Sequence, residues 1–206
     1  IYAVHMQPNG SSYTGELERF VSAAPLPVTD VIINPADQAM YFTIGGRKTQ
    51  SGLYRVTWTG SDSVAPAPLD LAGQEARDLR HSLEQLHRPQ EGAVEKAWPY
   101  LGHADRSIRF AARTAIEHQP AGSWSRKALA EDSSNEAKLT ALLALARCGD
   151  KSLQQPLLES LGRLNVAELS EMQLLAALRV AGLCFIRMGE PSAEVARAVA
   201  AVLNPM

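Results

Sequence analysis

Three stretches of this chain carry one apolar pattern. Ile108, Ala111, Ala112 and Ala115 align with Leu139, Leu142, Leu143 and Ala146, and again with Leu174, Ala177, Leu178 and Ala181, at offsets of 31 and 35 residues. Spacing of three and four places each set on one helical face. Each such helix is followed by a second apolar stretch, around Trp124 to Ala130, Leu153 to Leu161 and Val195 to Leu203. An earlier pair, Glu75 to Leu86 then Ala93 to Leu101, brings the number of helical hairpins to four. A two-helix unit of this length cannot bury its apolar side until a neighbour stacks on it, so the pattern predicts a mainly α chain forming an α-α superhelix. The alanines let helix axes approach closely. Asp105, Asn135 and Ser170 stand where N-caps are expected, and Gly149 and Gly189 where helices are expected to end.

The first 60 residues follow a different period. β-Branched and aromatic residues alternate with polar ones in runs over Ile1 to Met6, Gly15 to Val21, Val28 to Ile33, Ala39 to Ile44 and Leu53 to Thr59. Pro8-Asn9-Gly10-Ser11 and Asn34-Pro35-Ala36-Asp37 punctuate them with turn chemistry. Five short strands are too few for a closed sandwich and suit one four-stranded propeller blade with part of another. Their edges are then open to packing on the helical half or to association between chains. Residues 61–73, rich in Gly, Pro and Ser, read as a connector. The expected organisation is an antiparallel β segment over 1–60, a linker over 61–73 and helical hairpins over 74–206.

Leu26-Pro27-Val28-Thr29-Asp30-Val31-Ile32, Met40-Tyr41-Phe42-Thr43-Ile44-Gly45-Gly46-Arg47 and Gly52-Leu53-Tyr54-Arg55-Val56 resemble a blade of the glucose and sorbosone dehydrogenase type of propeller. The stretch from Trp98 to Arg113 is similar to a HEAT-type repeat. That order resembles multidomain bacterial proteins of the PVC-type haem-binding group, which run from a dehydrogenase-like propeller through HEAT-like repeats to a cytochrome c domain. The resemblance implies a piece joining a propeller to downstream modules of a larger, exported or periplasmic protein. Haem c and a quinone are the cofactors it implies for the parent. Cys-x-x-Cys-His is absent here and at most two blades are present, so the piece itself is expected to hold no cofactor, metal or catalytic residue. Two readings follow: a non-catalytic scaffold, or a wall of a sugar or alcohol dehydrogenase that passes electrons to a c-type cytochrome, with its active site elsewhere.

Charge narrows the partners. Twenty basic against twenty-two acidic residues give a formal net charge of -2, too little field to gather nucleic acid or an anionic membrane. No apolar run reaches the roughly 18 residues a bilayer requires. A protein partner or a neighbouring domain of the same polypeptide remains. Arg106, Arg109 and Arg113 recur at helical spacing, close to Arg126 and Lys127 of the next helix. They form either a solvated face or a docking site for an acidic partner.

Gly45, Gly46, Arg47 and Lys48 form a glycine-rich turn beside two cations. The turn reads either as a strand connection whose glycines supply positive φ, or as an anion or ligand contact. It lacks the Gly-x-x-x-x-Gly-Lys order of a phosphate loop. Asp30 reads as a turn residue or as a propeller-axis carboxylate. His5, His81, His87, His103 and His118 are not paired at i, i+4, so zinc is not expected. His103 and His118 flank one helix as caps or surface groups. Trp98 and Trp124 are expected between layers, and Cys148 and Cys184 as quiet core thiols.

Overall fold

In the computed structural model, residues 1–66 and 68–203 are described, without the side chains of 202 and 203. Position 67, in the expected connector, and positions 204–206, at the end of the expected helical half, lie outside them. The chain divides into two compact units, one comprising Ile1–Asn9 and Tyr13–Ala72, the other Gly10–Ser12 and Gly73 onward.

The five expected strands form, with shifted ends. Strands β1 (Tyr2–Asn9) and β2 (Ser12–Arg19) pair around Gly10, whose φ of 56° suits a glycine. Strands β3 (Val28–Ile33), β4 (Met40–Gly46) and β5 (Thr49–Val56) form a separate antiparallel sheet in the order β3-β4-β5. The expected four-stranded blade is therefore corrected to sheets of two and three strands. Pro25 and Pro27 fall between β2 and β3 and bring no amide to a ladder, so strand pairing does not continue there. Phe42 pairs with Tyr54, and their rings stack at 5.0 Å. Among the described residues of this unit, Ala39 and Phe42 are the buried apolar ones, while Val31, Ile32, Ile33 and Leu53 are exposed.

Among the described residues, eight α-helices build the second unit. They are α1 (Gln74–Glu84), α2 (Ala93–Ala97), α3 (Arg106–Glu117), α4 (Ala121–Leu129), α5 (Asn135–Cys148), α6 (Gln154–Gly162), α7 (Glu171–Met188) and α8 (Ala193–Leu203). In chain order they fall where the four expected hairpins place their helices. The first helices pack in chain order, α1 on α3, α3 on α5 and α5 on α7, and α4, α6 and α8 pack likewise.

The caps correct the repeat register. Asp105 accepts the amides of Ser107 and Ile108, Ser134 that of Ala137, and Ser170 that of Gln173 in a capping box. Ser134, and not Asn135, is the cap of α5, because its extended backbone leaves the hydroxyl free to turn back onto the first turn. Caps at 105, 134 and 170 set spacings of 29 and 36 residues in place of 31 and 35. In this register Ala112, Ala141 and Ala177 share one column, and Ala115, Ala144 and Val180 another, and all six are buried. Apolar matching had aligned leucines that sit on different sides of their helices.

Ala112 has no exposure, and its methyl leaves no room for a ring. Ala112→Phe is expected to lower stability by about 1 to 3 kcal/mol through overpacking, measured as a lower urea midpoint at unchanged slope.

Candidate functional site

Of the arginines of α3, Arg109 reaches the next hairpin, Arg113 stays within its own helix and Arg106 is exposed. Arg109 Nε lies 2.9 Å from Glu136 of α5, and its Nη1 donates to the carbonyls of His103 and Ala104. Arg113 pairs with Glu117 one turn on, and its guanidinium lies 5.1 Å from the Phe110 ring centre. Glu117 also receives Arg147 Nε of α5 at 2.8 Å. Glu117 and Arg113 have side chains only 10% and 12% exposed, whereas Arg147 is 44% exposed. Arg106, at the first position of α3, and Arg126, on α4, are exposed. Lys127 places Nζ 4.6 Å from the Trp98 ring centre, and Trp98 Nε1 donates to Glu131 at 2.5 Å.

The five expected residues thus divide: Arg109 and Arg113 bond to acids, Lys127 covers an indole, and Arg106 and Arg126 face solvent. Helical spacing shows that arginines share a face. It does not show which acids arrive from the following helix. Glu117, Glu136 and Arg147 were not anticipated, although the i, i+4 spacing of Arg113 and Glu117 was readable.

Asp105 accepts hydrogen bonds from two separate segments. Besides capping α3 it accepts the amide of Ser11 at 2.7 Å. Desolvation pushes its pKa up, but the hydrogen bonds from Ser11, Ser107 and Ile108 outweigh it and hold the carboxyl below its usual 3.8. His103, expected as a cap or surface group, accepts the Asp105 amide at Nδ1. His118 is the exposed C-cap of α3, and its ring stacks on that of His87 at 5.9 Å.

The turn at Gly45, Gly46, Arg47 and Lys48 links β4 to β5. The residue at positive φ is Lys48, at 66°, and neither glycine is, which corrects the expected role of the glycines. The register shifts between Ile44 and Gly46, so a bulge takes up the turn and the glycines stay extended within β4. Asp30 is exposed and accepts the amide of Val31. Trp98 and Trp124 are buried as expected. Of the cysteines, Cys184 is buried, with its thiol pushed up to about 11 by desolvation. Cys148 is exposed at the end of α5, a correction to its expected core position that follows from its place in the last helical turn.

A cavity of about 480 Å³ opens between α6, α7 and α8. Leu158, Leu161, Leu164, Leu178 and Val199 line it, with Arg163 among its few polar residues. Its lining suits an apolar group and offers no nucleophile with an adjacent base. Among the described residues no group of three His, Cys, Asp or Glu side chains could hold a metal ion, and no helix is long and apolar enough to cross a membrane.

Glu117→Gln leaves Arg113 poorly exposed and without its counter-charge, and is expected to cost about 3 kcal/mol. Arg147→Gln, removing the more exposed partner, should cost under about 1 kcal/mol; chemical denaturation of both variants measures the contrast. Asp105, with its folded pKa depressed, contributes stability that is complete well above pH 3.8 and is lost as pH falls through the lower folded value. Asp105→Ala is expected to cost about 1 to 2 kcal/mol at pH 7, and the difference from the parent should shrink in denaturation curves recorded below pH 3.8. Comparison with known proteins matched no family model, no curated protein and no solved structure.

Proposed function

We propose that this chain is a non-catalytic interaction segment, a HEAT-like α-α superhelix preceded by strands that belong to a larger propeller-like β domain. Its task on this reading is to hold that domain relative to downstream modules and to offer helix faces to a protein partner or neighbouring domain. One observation carries the reading: first helices pack in chain order over a repeated column of buried alanines, the arrangement that lengthens a surface without closing a pocket around reacting groups. The strand unit supports it, because β3 exposes Val31 and Ile33 on one face of its sheet and Ile32 on the other, apolar surface that a larger β domain would cover. The haem c and quinone chemistry suggested by the resemblance belongs, on this reading, to other parts of a parent protein.

Two measurements on the whole chain test this. Incubated with glucose or sorbitol, a pyrroloquinoline quinone cofactor and a dye acceptor, the chain is expected to give no turnover, and steady dye reduction would overturn the proposal. Amide hydrogen exchange should show strongest protection in α3 and α5, weaker in α1 and α7, because inner layers of a stacked row have two neighbours. Uniform protection across all four hairpins would contradict a superhelix.

A further inference from the structure

The helix α7 is apolar on two sides. Toward α5 and α6 it buries Ala177, Val180, Ala181, Cys184 and Met188. Its other side exposes Met172 at 74%, Leu175 at 53%, Leu178 at 40% and Ile186 at 80%. These four lie along one stripe of the helix, with Gly182 between them. Scattered exposed apolar residues need no explanation, whereas a stripe running the length of an 18-residue helix does.

The cap register supplies one. Counted from the caps Ser134 and Ser170, Leu175, Leu178 and Gly182 of α7 correspond to Leu139, Leu142 and Ala146 of α5. Those three are 3%, 0% and 0% exposed, in a helix flanked by α3 on one side and α7 on the other. The exposed side of α7 therefore repeats the pattern that α5 uses to receive its successor. At the opposite end of the row the exposed positions of α1 are Glu75, Asp78, His81 and Ser82, a polar face of the kind that finishes a stack. The α7 face is unfinished by comparison.

We propose that the outer face of α7, together with the adjoining cavity, is a docking site for an amphipathic, acidic helix of a protein partner. Two observations fix that choice. Leu178 belongs both to the stripe and to the cavity wall, so a helix lying along α7 can insert one bulky apolar side chain into the opening beside Leu161 and Val199. Charge selects the flanks: Arg163, Arg179 and Arg187 outnumber Glu159 and Glu171 at this surface and enter no ion pair among the described residues, while the α3–α5 junction binds its helices with Arg109–Glu136 and Arg147–Glu117 pairs. A partner with carboxylates beside its apolar stripe reproduces that arrangement. A second copy offering the same face fits less well, because antiparallel pairing centred on α7 sets one Arg179 against another.

The inference rests on the interaction-segment reading and names its surface. The dye assay tests that reading and the following binding experiment tests the surface, so each can fail without the other. The probe is a fluorescent synthetic 18-residue helix with leucines on one face and glutamates on its flanks, compared by anisotropy with a scrambled peptide of equal composition. Saturable binding of the first alone is expected, weakened roughly tenfold or more in Leu175→Glu and in Ile186→Glu. Both positions are exposed, so the variants should keep the parent's circular dichroism. Arg179→Glu should weaken the glutamate peptide and favour one with lysines on its flanks, a reversal that unfolding cannot produce. Equal binding of the scrambled peptide, no binding, or no effect of these substitutions overturns the proposal. So does sedimentation of the chain alone at twice 22.3 kDa that Leu175→Glu returns to monomer, since the occupant would then be a second copy.

Discussion

Close approach of helix axes over methyl groups is the constraint on which the helical unit depends. Seven residues after each cap stands an alanine, Ala112, Ala141 or Ala177, and three further on stands Ala115, Ala144 or Val180. Larger side chains there would hold successive first helices apart and open gaps that the leucines could not fill. The caps matter for the same reason. By fixing where each helix starts, Asp105, Ser134 and Ser170 decide which residue of the turn meets the neighbouring helix, so a local hydrogen bond sets the register of a long-range contact.

Polar clamps complete what the methyls begin. Buried Gln119 takes the amide of Gln90 on its oxygen at 3.0 Å and donates to the carbonyls of Arg88 and Ala115, tying the end of α3 to the segment between α1 and α2. Trp124 then donates its indole N–H to the Gln119 carbonyl, and Ser160 of α6 donates to that of Leu129. Each of these groups would be costly to bury alone. Spaced along the unit, they make one stacking order of the hairpins better satisfied than a slipped one.

How much of this was legible depended on range. The change of period near residue 60, the five strands and the four hairpins are local patterns, and the sequence displays them directly. The repeat offset was less accessible, since matching leucines rewards hydrophobicity, while Ser134 against Asn135 is settled by one backbone conformation. The sheet division turns on Pro25 and Pro27, whose missing amides are visible in the sequence, whereas which strands would have paired across them is a long-range matter. The arginine face was legible as a face. Its chemistry was not, because Glu136 and Arg147 come from a helix some 30 residues away, and only folding brings them to Arg109 and Glu117.

A row of stacked hairpins has a consequence for binding that a closed core does not. Every inner layer hides both sides of its first helix, so the residue pattern that stabilises the interior is also the pattern an end layer exposes. A sequence can finish an end with polar residues, as α1 does with Glu75, Asp78, His81 and Ser82, or leave it apolar, as α7 does. Leaving Met172 and Ile186 in water forfeits burial of the order of 25 cal/mol per Å² of apolar surface. The same energy becomes available to whatever covers them. An uncapped layer is thus at once a local weakness of the fold and a store of binding free energy, and the flanking arginines bias it toward an acidic partner.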